Sequence, residues 1–186
     1  MGTNPSAMRL LGVVLLAFAC LSGTALERPA PRATAQAAAP LPAQDPVDAV
    51  LRAELRELNP NLAASQVERI LAAVRRSSAR HGLDPMLVLS IMKVESTGRP
   101  DARSPLGALG LMQVMTYMIG PMELAGNPST IEANIEAGCA ILSGNIRRLG
   151  EDDGISTYFW GSDIRGTDYL EKVRAAQDSL GRDVRS

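Results

Sequence analysis

The chain has 186 residues, 19 basic against 20 acidic side chains for a net charge of −1, and 46% hydrophobic residues. That composition supplies the core of one globular domain with sequence to spare. It excludes a polybasic nucleic-acid binder, because nearly all the positive charge is dispersed arginine and no basic run exceeds Arg75-Arg76 or Arg147-Arg148.

Residues 1–25 read as a secretory signal peptide: one arginine precedes the apolar run Leu10 to Leu21, small residues follow, and the run is too short for a comfortable membrane span. Cleavage after Ala19 or after Ala25 leaves small residues where a signal peptidase reads them, so the mature protein is expected in the periplasm. Cys20 leaves a second destination open, an acylated cysteine tethering an outer-membrane lipoprotein, although Ala17, Phe18 and Ala19 depart from the usual acylation motif. Residues 26–46, rich in Ala and Pro, read as a flexible or polyproline-like spacer, and 47–186 as the folded domain.

Val47 to Leu58 places Val50, Leu51, Leu55 and Leu58 on one face of a short amphipathic helix, with Arg52, Glu54, Arg56 and Glu57 elsewhere. Ser65 and Glu68 then suggest a capping box for a second helix that buries Val67, Ile70, Leu71, Val74 and Ser78, keeps Arg69, Arg75, Arg76 and Arg80 solvated, and stops at Gly82. His81, the only histidine, falls in its last turn, where an interaction with free carbonyls is expected. No cluster of ligand-type residues surrounds it, so neither a metal nor a cofactor is expected.

The third helix begins at Asp84, which can cap the first turn, and Pro85, which occupies a position that needs no donor. Met86, Leu87, Val88, Leu89, Ile91, Met92 and Val94 leave almost no polar face, the pattern of a helix in the middle of a small domain. Glu95 and Ser96 end it, before Gly98 and Pro100. A carboxylate at the negative end of a buried helix is disfavoured in its ionised form, which raises its pKa and suits a general acid. The plain alternative is a solvated glutamate at a frayed helix end, or one paired with Lys93 or Arg99.

A glycine-containing loop through Ser104, Gly107, Ala108 and Gly110 follows, with a small β-excursion expected between Gly98 and Gly110. Met115 to Ala125 reads as one broken or two short helices, and Gly126 to Thr130 as a loop. Ile131, Ile135, Cys139, Leu142, Ile146 and Leu149 mark a strong amphipathic helix in which Cys139 is a buried thiol. Two more helices are expected at Asp152 to Trp160 and Asp163 to Ala176, the latter with Ile164, Leu170 and Val173 inward. The fold class is mainly α, a single domain with at most a small β-excursion.

Glu95, Ser96, Pro100, Ala102, Ser104, Gly107, Ala108, Gly110, Leu111, Met112 and Gln113, at these spacings, resemble the soluble lytic transglycosylase family, lysozyme-like enzymes that cleave peptidoglycan glycan strands. Asn134, Ile135 and Gly138 resemble its second helix motif, and Tyr158 with Gly161 its aromatic motif, so the likeness runs from about Ser65 to Val173. The resemblance implies a lysozyme-like fold, a peptidoglycan partner, and cleavage between N-acetylmuramic acid and N-acetylglucosamine. Glu95 would act first as acid and then as base, closing a 1,6-anhydro ring. Substrate-binding roles carry over to Ser104, Met112, Gln113 and Tyr158, with Met112 lining the cleft and Tyr158 orienting Glu95. Phe159 stands where the family usually has Asn, Thr116 where Pro is common, and Gly98 where an aromatic is usual. A hydrolytic muramidase or chitinase-like enzyme using Asp101 or another acid as a helper, and a noncatalytic glycan-binding or envelope-machinery protein, remain as alternatives.

Overall fold

A computed structural model of the chain describes residues 46–118, 120 and 126–183. The expected signal peptide, nearly all of the spacer and Cys20 lie outside the described residues. Among the described residues, six helices carry the fold: α1 (Pro46–Leu58), α2 (Ala64–His81), α3 (Pro85–Ser96), α4 (Ile131–Leu149), α5 (Glu151–Trp160) and α6 (Asp168–Asp183). Between α3 and α4 lie the two-residue strands β1 (Ala108–Leu109) and β2 (Val114–Met115).

Helix α3 forms the buried element against which α1, α2 and α6 pack. The Asp84 carboxylate accepts the Met86 N–H at 2.9 Å and Pro85 takes the first helical position, as the sequence predicts. Leu87, Val88, Leu89, Ile91 and Met92 are all buried, so this helix shows solvent no continuous face. The hydroxyl of Ser90 is satisfied within it, donating to the Met86 carbonyl at 2.7 Å. Helices α1, α2 and α6 pack against α3, and α4 packs on α2 and α5. From α1 come Leu51 and Leu55, each fully buried and each worth about 1.5–3 kcal/mol on leaving water. Ile131, Ile135, Cys139 and Leu142 face inward from α4, and burial pushes the Cys139 thiol up to about 12.

The first helical residue of α2 is Ala64, ahead of the expected cap at Ser65. The N-cap is Ala63, and Gln66 reaches back to accept its N–H at 2.9 Å, one half of a capping box built without a side-chain acceptor on the cap itself. Gly82 ends the helix in left-handed backbone, φ 66°, as expected. Three of the four arginines of α2 are engaged in ion pairs with neighbouring helices: Arg69 with Glu132 and Arg80 with Glu136 of α4, and Arg75 with Asp48 of α1. His81 likewise meets a carboxylate, Glu136, at 2.9 Å instead of a free carbonyl. Glu54, placed by its helical spacing outside the apolar face, is buried on α1 with Lys93 Nζ 3.6 Å away.

The β-structure is an antiparallel pair, Ala108 opposite Met115 and Leu109 opposite Val114, with Arg103 bridging Leu109. Its second strand falls beyond Gly110, where helix was expected from Met115. A single 3-10 turn follows at Thr116–Met118, and residues 119 and 121–125 lie outside the described residues. Helix α6 begins at Asp168, five residues later than expected, leaving Ile164 exposed before it. Tyr169 takes the inward position with Val173, Ala176 and Leu180, a spacing of four, three and four residues.

Candidate active site

Glu95 is the penultimate residue of α3. The helix stops because Thr97 and Gly98 both adopt left-handed backbone, φ 55° and 67°. The closing turn is tied down by Asn59 Nδ2 donating to the Gly98 carbonyl at 3.1 Å and by Arg99 Nε donating to the Ser96 carbonyl at 3.0 Å. With Arg99 committed to backbone and Lys93 beside Glu54, the two cations adjacent in sequence are both engaged away from Glu95.

The Glu95 carboxylate instead accepts the Tyr169 hydroxyl at 2.6 Å. Burial pushes its pKa above the ordinary carboxylate range, and Tyr169, by donating to the ionised form, pulls it part of the way back. The result is a carboxyl group beside a cleft that holds its proton to higher pH than an exposed one, the direction a general acid requires.

That cleft has a volume of about 340 Å³. Val94 and Glu95 enter it from α3, Phe159 and Trp160 from the end of α5, and Tyr169 and Lys172 from α6. Phe159 stacks on Tyr169 with ring centroids 4.8 Å apart and planes 13° from parallel, and Trp160 meets Phe159 edge-on at 5.0 Å. Asp168, exposed at the start of α6, is a second carboxylate on the same wall. Asp101 is elsewhere, in a depression shared with Arg69, Arg103 and Thr130.

Of the sequence-predicted residues, Tyr158 has a different partner from the one expected. Its hydroxyl donates to the Met112 carbonyl at 2.8 Å, while Tyr169 provides the bond to Glu95. Burial and the neighbouring Glu95 charge push the Tyr158 phenol pKa well up, so it stays a donor. Met112 is 0% exposed and does not line the cleft. Its sulfur lies where a Cβ on Gly138 would come within 2.5 Å, so the absence of a side chain there allows the loop to seat directly on α4. Ser104 organises a turn: its hydroxyl accepts the Ala108 N–H at 3.0 Å, and its own N–H donates to the Ala108 carbonyl at the same distance. Gln113, itself left-handed at φ 48°, folds its amide back to donate to the Gly110 carbonyl at 2.9 Å. Neither Ser104 nor Gln113 lies among the residues that line the Glu95 cleft.

The motif residues instead converge on one short loop. Ser96 of α3 donates to the Leu111 carbonyl at 2.8 Å, and Tyr158 of α5 to that of Met112. Asn134 of α4 accepts the Met112 N–H at 2.8 Å and donates to the carbonyls of Leu109 at 2.7 Å and Pro128 at 2.9 Å. Gly110 lies against this amide: a Cβ there would fall 2.5 Å from Asn134 Nδ2, and its φ of 72° is itself unfavourable for a side chain. Three helices therefore fix the loop that follows the acid.

This arrangement, a buried central helix ending in an acid with a small antiparallel ribbon beside it, is a lysozyme-like fold. A solved structure of an inactive mutant of the lytic transglycosylase Slt from Pseudomonas aeruginosa superposes with a TM-score of 0.52 at 22% identity, covering 61% of this chain and 24% of that one. The family model of the Transglycosylase SLT domain matches residues 72–164, half of the chain, and the chain belongs to that family. Curated relatives include the membrane-bound lytic murein transglycosylase C of Yersinia pestis (strain Pestoides F) and that of Yersinia pseudotuberculosis serotype O:1b (strain IP 31758). Each is 39% identical over 97 residues, covering 47% of this chain and 27% of the relative. The chain thus spans about a quarter of the length of the curated relatives it matches.

Proposed function

We propose that the chain is a peptidoglycan lytic transglycosylase with Glu95 as its catalytic acid and base. The observation that carries this reading is a half-buried carboxyl, pKa raised by burial and bonded to Tyr169, opening into a cleft at the end of the central helix. Protonated Glu95 donates to the glycosidic oxygen between N-acetylmuramic acid and N-acetylglucosamine, and the C1–O bond breaks. The 2-acetamido carbonyl oxygen bonds to C1 in its place. The resulting Glu95 carboxylate removes the proton from the C6 hydroxyl, O6 attacks C1, the acetamido group is released, and Glu95 is protonated again. Water takes no part. Ser104 and Gln113 support the reaction by shaping the loop after the acid, and the half-buried Tyr158 does so by holding that loop in place.

Export to the periplasm by residues 1–25, with or without an anchor at Cys20, completes the proposal, and the names of the Yersinia relatives as membrane-bound agree with an envelope setting. Digestion of purified sacculi, read by mass spectrometry, tests the chemistry. Products ending in 1,6-anhydromuramic acid are expected. Asp168 favours one alternative, since an exposed carboxylate on the cleft wall is suited to activating water. Products one water heavier that disappear in Asp168→Asn would replace transglycosylation with hydrolysis.

Tyr169 is a positioning residue in this scheme. Tyr169→Phe removes a hydrogen bond to an ionisable group, about 1.5–3 kcal/mol, so kcat should fall roughly tenfold to a hundredfold. Because the lost donor favoured the ionised carboxylate, the pKa of Glu95 rises further and the alkaline limb of the kcat profile moves to higher pH. A limb that stays in place would rule out a charge-dependent bond between the two groups.

A further inference from the structure

We propose that the outward face of Phe159 is a sugar-stacking platform that receives the apolar C–H face of an N-acetylhexosamine ring next to Glu95. The inference rests on the reading of the cleft as a glycan site and assigns part of that site a partner. Phe159 is 55% exposed, an apolar ring left open to solvent at the end of α5. One face is covered by the parallel Tyr169 ring and Trp160 packs against it edge-on, so two aromatic neighbours set its orientation before any ligand arrives. A preorganised ring loses little freedom on binding. Through Tyr169, the same stack is one hydrogen bond from the acid.

The chemistry of the ring selects the ligand surface. A phenyl group has no donor or acceptor and presents a negative π face, which attracts the weakly positive C–H hydrogens that β-linked N-acetylhexosamines gather on one side of the pyranose. Where the resembling family usually has Asn, this chain has exchanged a directional amide for an aromatic face. Phe159 therefore grips the sugar ring itself, with no hydrogen-bond demand on its substituents.

Titration of the purified protein with chitotetraose by isothermal calorimetry tests the inference. The emission of Trp160, the chain's one tryptophan, marks occupancy of this cleft. Phe159→Leu, apolar but without a ring, should weaken chitotetraose about tenfold, and Phe159→Trp should keep the affinity within about threefold. On sacculi, the Leu variant should lose more in KM than in kcat. The inference is overturned by equal affinity of the Leu variant and wild type, by a Trp variant as weak as the Leu variant, or by a kcat loss at unchanged KM, which would make Phe159 merely a prop for Tyr169. Absence of chitotetraose binding by wild type overturns it as well. If wild type cuts sacculi while Phe159→Leu binds normally, the stacking subsite fails and the catalytic reading stands. If Phe159→Leu weakens binding but sacculi are never cut, the subsite stands and the catalytic reading fails.

Discussion

Glu95→Gln is expected to abolish release of muropeptides from sacculi, by about 10³-fold or more, and to melt at a higher temperature than the wild type at neutral pH. The activity loss follows from using one group in two proton transfers, each of which contributes substantially on its own. The stability gain follows from linkage. Burial raises the Glu95 pKa in the folded state, so between the ordinary carboxylate value and the raised one the native chain binds more protons than the unfolded chain. Native stability therefore falls as pH rises through that window and is fully retained below it. Glutamine keeps an acceptor for the Tyr169 hydroxyl but cannot ionise, so it escapes the penalty. Calorimetric scans at several pH values should show the difference between variant and wild type shrinking as the medium becomes acidic. A gap of constant size, or of opposite sign, would show that the carboxylate is not destabilised by its surroundings.

Asn134→Ala should cost about 3–5 kcal/mol in denaturant unfolding and lower the melting temperature by roughly 10 °C or more. The amide is fully buried and serves three backbone groups from two segments, the Met112 N–H and the carbonyls of Leu109 and Pro128. Alanine strands all three away from ready solvation, and unmade buried bonds cost more than formed ones contribute. Asn134→Asp keeps the acceptor for Met112 but offers no donor to the two carbonyls, so it should be nearly as damaging. Amide exchange from Leu109 to Gln113 should accelerate in both variants. A loss below 1 kcal/mol in the Ala variant would mean that the loop relaxes independently of α4.

The sequence expectations held best where the physics is local. Asp84, Pro85 and the unbroken apolar run that follows identify α3 and its start without any tertiary information, and the same run places Glu95 at its end. The register of α4 was legible from Ile131, Ile135, Cys139 and Leu142. Where a helix began was less legible when the signal was weak. Ala63 has no capping side chain, so the Ser65 and Glu68 pair looked like the better start. Strands of two residues are too short to alternate, so nothing local separates Met115 of β2 from the helix expected to start there. The largest gap was Tyr169. Its spacing with Val173, Ala176 and Leu180 marks an inward face, but its bond to Glu95 spans 74 residues and depends on how α6 crosses α3. Tyr158, in the motif, was the natural candidate for that bond. In the fold its hydroxyl is turned to the Met112 carbonyl.

Cys139 has a consequence for handling and transit. A thiol with no exposed surface and a pKa near 12 supplies almost no thiolate, the species that attacks disulfides and reacts with oxidants. While the fold is intact, an oxidising compartment finds no nucleophile in α4 to trap. Once the α4 packing opens, the sulfur becomes ordinary and reactive, so the rate at which Cys139 takes up an alkylating reagent is a clock for the opening of the core.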